Sequence, residues 1–303
     1  MRTAALRLLP LAILLSLVPP VALAQPNFDE VQIQTIPVAE GVFMLAGRGG
    51  NIGLSVGEDG AFLIDDQYAP LTDKIKAAVA AQTEQPIRFV VNTHWHGDHT
   101  GGNENMGQAG AVIVAHENVR RRMSTEQFIE AFNSRTPPAP PAALPVVTFT
   151  DAVTFHWNGD EIHVFHVDPA HTDGDAIIFF RRANVIHMGD TYFNGMYPFI
   201  DVSSGGTLSG MIAAVDRVLA MTDDATKIIP GHGPLSNRAE LMAYREMLAT
   251  VHARMKALIA DGKSRDEAIA ARPTADLDAT WGRGFLQPDV WVGIVYDAVA
   301  AEE

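Results

Sequence analysis

Cysteine is absent from all 303 residues. Disulfides, a thiolate nucleophile and sulfur ligands are therefore excluded, so any metal must be held by nitrogen and oxygen and stability must come from an ordinary core. With 47% hydrophobic residues the chain can build one. A basic cluster is missing as well. Against 22 Lys and Arg stand 36 Asp and Glu, and a formal charge of −14 suits neither nucleic acid nor anionic lipid as a partner. No repeat of fixed period is present. The sequence also lacks an apolar run of the ~20 residues that a spanning helix needs. The stretch Leu8 to Val18 is shorter and is interrupted by Pro10. Preceded by Arg2 and Arg7 and followed by Ala22-Leu23-Ala24, it reads as a cleavable secretory signal over residues 1–24. With no Cys near the cleavage point a lipoprotein anchor is excluded. The expectation is a periplasmic or secreted protein of residues 25–303 with no stable membrane anchor.

What is present is a chain of short β-rich runs punctuated by Gly and Asp: Val31–Val38, Val42–Ala46, Ile52–Val56 and Ala61–Asp65. An amphipathic helix is predicted from Leu71 to Ala81, a buried strand at Ile87–Asn92, a short helix over Gly101–Gly107 and a strand at Ala111–Ala115. Residues 116–135 read as a polar helix. The Pro-rich stretch Pro137 to Pro145 reads as a stiff surface connection rather than a lid. Strands resume at Val146–Phe149, Ala152–Trp157, Glu161–Val167, Ala176–Phe180 and Val185–Met188. Helix Thr207–Met221, strand Lys227–Ile229, a long helix Asn237–Ala260 and a helical tail follow. Two blocks of strands, each followed by helices, predict an α/β fold with two facing sheets and helices outside, a four-layer sandwich with a helical C-terminal part from about residue 236.

The strand Ile87–Asn92 feeds the most informative segment, His94-Trp95-His96-Gly97-Asp98-His99, which packs four potential metal ligands into six residues. Three later loops each follow a strand and each carry glycine beside a polar residue. These are His171 in Pro169-Ala170-His171-Thr172-Asp173-Gly174-Asp175, Asp190 in Gly189-Asp190-Thr191, and His232 in Gly231-His232-Gly233. Any one of these histidines alone would more often be structural. Five of eleven in three glycine-flanked loops reverse that balance. The other six, His116, His156, His163, His166, His187 and His252, are expected to be structural. Asp190 could instead cap a helix.

The HxHxDH run with the later His, Asp and His loops in this order resembles the metallo-β-lactamase-fold hydrolase superfamily, from about Val31 to His232. The resemblance implies a four-layer αββα sandwich and two zinc ions per chain. His94, His96 and His171 would hold the first ion, Asp98, His99 and His232 the second, and Asp190 would bridge both. Two ions sharing a water supply hydroxide near neutral pH. Asp98 would also steer the nucleophile or relay a proton to the leaving group.

Around these ligands, Asp65 is expected either to brace a ligand imidazole or to be a turn residue, with Thr172 and Asp175 candidates for the same bracing. Trp95 is expected to pack. Tyr192, Asn194 and Tyr197 could wall a pocket for a small, partly apolar carbonyl compound or belong to the core. No Lys or Arg lies between Asp190 and Lys227 except Arg217, in the predicted helix, so that stretch offers no carboxylate anchor. The Asp at 190 resembles the glyoxalase II and lactonase pattern, where cysteine-containing lactamases have Cys. His99 resembles the second-metal arrangement of another lactamase branch. The expected activity is cleavage of an amide, ester or thioester carbonyl of a small-molecule substrate, a β-lactam among the candidates. The alternatives are a mononuclear iron oxygenase of the same fold, resembling persulfide dioxygenases, and a metal-binding protein with little activity.

Overall fold

The computed structural model of the protein describes residues 27–302. The expected signal, 1–24, lies outside the described residues. Strands β1 Gln34–Ala39, β2 Val42–Ala46, β3 Ile52–Ser55, β4 Ala61–Ile64, β5 Ile87–Val91, β6 Val112–His116 and, after a hairpin of β7 Gln127–Ile129 and β8 Ser134–Thr136, β9 Val147–Phe149 are the next elements. They build a seven-stranded sheet in the order β1-β2-β3-β4-β5-β6-β9, from which only the hairpin stands apart. Antiparallel pairing up to β4 gives way to parallel pairing from β4 through β9. The second sheet runs β10 Ala152–Trp157, β11 Asp160–His166, β12 Ala176–Phe180, β13 Val185–His187, β14 Lys227–Ile229 and β15 Ser236–Asn237, with β13 and β14 parallel.

Period-two alternation decides which residue faces which layer. In β4, Phe62 and Ile64 point at the other sheet and meet Ile162, Val164, Ile178 and Phe180. Ala61 and Leu63 point outward and are covered by Ile75 and Val79 of the helix Thr72–Ala80. The second sheet turns Phe165, Ile177, Ile186 and Ile228 outward onto the helices Leu208–Met221, Arg238–Ala260 and Pro288–Ala300. The result is a four-layer αββα sandwich. Residues beyond 236 form its outer layer on that side, because Leu241, Leu248, Trp291 and Val295 are buried in the same cluster as Met211 and Val215.

The predicted helix over 116–135 is corrected. It spans only Glu117–Met123, and Ser124 ends it. Ser124 and Thr125 turn their hydroxyls back onto the carbonyls of Arg120 and Arg121, which competes with helix continuation. Asn133 takes a left-handed φ of 46° and closes the β7–β8 hairpin. The short helix expected at Gly101–Gly107 is Asn103–Gln108, and a separate turn of helix, Gly97–Thr100, precedes it. The Pro-rich stretch is a connection pinned by Ala139 N to Met123 O, 2.8 Å, and by Asn103 Nδ2 to Ala143 O, 3.0 Å.

Parallel pairing of β4 with β5 and of β13 with β14 brings the C-terminal ends of these strands to one edge of the sandwich. There the two halves are stitched together by Ala176 N to Thr93 O, 2.8 Å, and Asn51 N to Gly231 O, 2.7 Å.

Candidate metal centre

The first ligand loop leaves β5 through Asn92 and Thr93 and turns into the short helix Gly97–Thr100, which presents Asp98 and His99. His171 leaves β11, Asp190 leaves β13 and His232 leaves β14, so four loops at one edge deliver seven side chains. Ligand atoms of His94, His96, His171 and Asp190 all lie within 4.8 Å of one another, and so do those of Asp98, His99 and His232.

Hydrogen bonds on the outer nitrogens decide what the inner nitrogens offer. His171 Nδ1 donates to Phe199 O at 2.8 Å, and His96 Nε2 donates to Asp201 Oδ2 at 3.0 Å. Thr93 gives its hydroxyl proton to Asp65, so its oxygen accepts from His94 Nδ1 at 3.0 Å. The inner nitrogens are then three bare lone pairs. His96 Nδ1 stands 3.2 Å from His94 Nε2 and 2.9 Å from His171 Nε2 with no proton to share. Only a cation relieves that repulsion. Their spacing of 2.9–3.2 Å is somewhat tighter than the ~3.4 Å between two nitrogens that share a tetrahedral zinc ion.

The second trio is arranged on the same plan. His99 Nδ1 donates to Asp65 Oδ2 at 2.7 Å, which turns Nε2 inward to 3.4 Å from His232 Nε2. Asp98 Oδ2 lies 3.3 Å from His232 Nε2 and 3.7 Å from His99 Nε2. Asp190 stands between the trios. Its Oδ1 is 3.0 Å from His99 Nε2, and its Oδ2 is 3.3 Å from His232 Nε2 and 3.6 Å from His171 Nε2. Oδ1 is buried and has no well-aligned hydrogen-bond donor among the described residues, its close neighbour being His99 Nε2, so it depends on positive charge nearby. A Cβ at Gly231 would strike that oxygen, which explains the glycine before His232. The donor set, the orphaned oxygen and the inward lone pairs fit two borderline divalent ions.

The electrostatics separate the trios. Burial pushes the His94 imidazole well below its ordinary value and that of His171 to about 4, so both are neutral. Burial acts on His99 and His232 as well, but Asp190 and Asp98 prevail, raising His99 well above its ordinary value and His232 to about 9. Conversely, burial would raise both carboxyls, yet His232, His99 and His94 hold Asp190 well below the usual range, and His99 and His232 take Asp98 to about 2.

The centre opens into a cavity of about 690 Å³ whose walls include Arg48, Tyr68, Trp95, Phe132, Phe199 and Phe285. The proposed pocket residues Tyr192, Asn194 and Tyr197 are corrected, since none of them lines it. Tyr192 and Tyr197 are core residues, with hydroxyls 2.7 Å from Ser236 Oγ and 2.9 Å from Asp278 Oδ1, and Asn194 bonds Pro234 O and Glu240. Aromatic side chains following Asp190 are drawn inward by the helical layer that covers the second sheet. Thr172 is corrected too: its hydroxyl bonds Asp175 Oδ1 at 2.6 Å, and Asp175 in turn accepts from His171 N, so both brace the loop and not an imidazole. Asp65 sits behind His99. Trp95 is buried, its indole N–H donating to Ser204 Oγ at 3.1 Å. The six other histidines stay outside the cluster. His187 bonds Asn51 O, His252 meets Glu302, and His116 stacks on His166.

Asp201 was not among the residues expected at the site. Its one sequence signal is Asp-Val-Ser-Ser, which reads as a turn, and the turn is real: Ser203 Oγ and Ser204 N both donate to Oδ1.

Comparison with known proteins agrees with this geometry. The family model described as the metallo-beta-lactamase superfamily matches residues 45–232. The chain is similar to the hydroxyacylglutathione hydrolase of Nitrosococcus oceani, 28% identical over 200 residues covering 65% of this chain and 66% of that one, so it spans just under two-thirds of that relative's length. It is also similar to the metallo-beta-lactamase type 2 of Bacteroides fragilis, 22% identical over 59% of this chain and 70% of that one. Among solved structures, a metallo-beta-lactamase from Pontibacter korlensis superposes with a TM-score of 0.59 at 21% identity, covering 72% of this chain and 99% of the other.

Proposed function

The chain belongs to the metallo-β-lactamase superfamily, and from that membership we propose that it is a dinuclear zinc hydrolase cleaving an amide, ester or thioester carbonyl of a small molecule, β-lactams among the candidates. The observation that carries the reading is the convergence of two groups of ligand atoms, with Asp190 between them, at one edge of the sandwich. His94, His96 and His171 would hold one ion, Asp98, His99 and His232 the other, with Asp190 between. Bound there, two zinc ions supply hydroxide near neutral pH and polarise the substrate carbonyl.

The protein residues do the rest. Asp201, Phe199 O, Thr93 and Asp65 keep the imidazoles of His96, His171, His94 and His99 in the tautomer that binds metal. Asp98 is the carboxylate that faces the cavity, 22% exposed against 4% for Asp190. That exposure suits it to hold the proton lost by the nucleophile and return it to the leaving group. Burial of the other ligands excludes bulk water from the first trio, which strengthens every interaction there.

Export is part of the proposal and rests on the composition of residues 1–24. The relatives' names, a thioester hydrolase and a lactamase, support carbonyl cleavage as the class. Metal analysis of protein purified without added metal tests the reading, with two zinc ions per chain expected. One iron per chain would favour the oxygenase of the same fold, and no metal would favour a binding protein. A zinc-loaded protein inert toward β-lactams, lactones and thioesters alike would overturn the carbonyl assignment.

A further inference from the structure

The connection between β2 and β3 reads Gly47-Arg48-Gly49-Gly50 and lies against the second trio. Gly50 N donates to Asp98 O at 3.1 Å, and Gln67 Nε2 donates to Gly50 O at 2.7 Å. The next residue, Asn51, uses its amide to bond Pro230 O at 2.9 Å and Gly233 O at 2.8 Å. The tip is thereby fastened to the loops that carry Asp98 and His232.

Its glycines have steric reasons. A Cβ at Gly50 would enter the His99 ring. One at Gly49 would come 2.8 Å from Asp98 O, at a φ of +104° that side chains rarely adopt. One at Gly47 would press on Ile33 and on the pinned amide of Gln67. Position 48 alone of the four is free to carry a side chain, and it carries a guanidinium. Arg48 is exposed, lines the cavity of the metal centre, and has no ion pair or side-chain hydrogen bond among the described residues. No other Arg or Lys lines that cavity among the described residues. The same cavity is lined by Phe132, 45% exposed, and Phe285, 57% exposed, two large apolar rings left uncovered.

We propose that Arg48 is the anion anchor of the substrate: it takes a carboxylate borne on the Asp98 side of the scissile carbonyl, while Phe132 and Phe285 take the apolar part. The inference rests on the hydrolase reading and names the substrate class of that site. A carboxylate matches a lone guanidinium in charge and in fork geometry, whereas a doubly charged phosphate would call for more cations. Tyr68 stands beside Gly49, and burial together with Asp98 raises its phenol to about 12, leaving the hydroxyl a donor beside the anchor.

The test pairs an acid with its neutral twin, the phenylacetyl thioesters of 3-mercaptopropanoate and of 3-mercaptopropanamide, in the zinc-loaded full chain. Thiol release can be followed with a chromogenic disulfide, since the protein has no cysteine to react with it. In Arg48→Ala the KM preference for the acid is expected to fall by about tenfold with kcat for the acid little changed, and Arg48→Lys is expected to restore part of it. A second arm needs no turnover. Calorimetric binding of phenylacetylglycine and of phenylacetylglycinamide should show the acid preferred by the wild type and that preference reduced by about tenfold in Arg48→Ala. If neither thioester is cleaved, the hydrolase reading suffers while the binding arm still judges Arg48. An acid-to-amide ratio equal in wild type and Arg48→Ala, or no preference for the acid in the wild type, overturns the anchor.

Discussion

Of the two ligand trios, one is sealed and the other is open. His94, His96 and His171 have side chains 1%, 8% and 0% exposed, whereas Asp98 and His232 reach 22% and 21%. The sealed trio has every outer nitrogen hydrogen-bonded. In the open trio His99 has the carboxylate of Asp65 behind it, while the His232 ring stacks on Phe193 at 5.0 Å. Orientation is thus supplied by directional bonds on one side and partly by packing on the other. On the proposed reading the sealed half would hold an ion, and the open half is where substrate would meet one. This division predicts different consequences for changes of similar size.

The largest effect is expected at the open side. Asp98→Ala removes a ligand atom of the second ion and the carboxylate that faces the cavity, so kcat should fall by about 10²–10³-fold, the usual worth of a positioned acid or base. The fold and the first ion should survive, because no element of the sandwich depends on Asp98. Circular dichroism, metal content and turnover on one preparation check this. Unchanged kcat, or loss of both ions, would dissolve the distinction between the trios.

A smaller and more selective effect is expected behind the ligands. Asp201→Asn weakens the acceptor behind His96, and Asp65→Asn weakens the one behind His99. Each should cost about 10–100-fold in metal affinity, Asp201→Asn for the first ion and Asp65→Asn chiefly for the second, since the reach of Asp65 to His94 runs through the Thr93 hydroxyl. Competition with a chelator, followed at each of the two binding steps, should show Asp201→Asn loosening the tighter step and Asp65→Asn the weaker one. Both variants loosening the same step would mean that the sites fill as one unit.

Much of this centre is legible in the sequence because its ligands are either contiguous, as from His94 to His99, or set between glycines, as His171, Asp190 and His232 are. Glycine is informative there for a steric reason: a Cβ at Gly231 or Gly50 would occupy space that a ligand needs. The layers are legible too, since the continuous apolar runs of β2 and β4 and the helical spacing in Thr72–Ala80 are local patterns. What a pattern cannot carry is a contact between distant segments. Asp201 reaches His96 across 105 residues with only a Ser-rich turn to mark it. Tyr192 and Tyr197 looked like pocket walls because the covering helices contribute to the core from residues more than forty positions away. The hairpin that roofs the cavity was hidden by the helical look of Arg120 to Arg122, although Asn133 marked its turn. Arg48 is readable as the odd residue in a glycine run, but nothing local places that run against a metal centre carried by segments further along the chain.

The subtlest difference between the trios is in protons, and it appears only when the metal is removed. In the metal-free protein His232 is raised to about 9 and His99 is raised as well, because Asp190 and Asp98 outweigh burial. A group whose folded value lies above its unfolded value of about 6.5 gives its full stabilisation below that pH and loses it as the pH rises through the folded value. His171, lowered to about 4 by burial, has the opposite sign and titrates below this window. Asp175, raised to about 7 by burial, also titrates within it, and the zinc-loaded protein, which carries the same buried carboxyl, is therefore the reference. The melting temperature of the metal-free protein should therefore fall by a few °C between about pH 6.5 and 9 relative to the zinc-loaded protein, whose imidazoles have no protons to lose. By the same linkage, zinc displaces protons from His99 and His232, whereas His94 and His171 have none to release in this window. The weaker binding step should then strengthen with pH across this window while the tighter step stays nearly flat. Two equally steep steps would place the protonated imidazoles in both trios and remove the electrostatic half of the contrast.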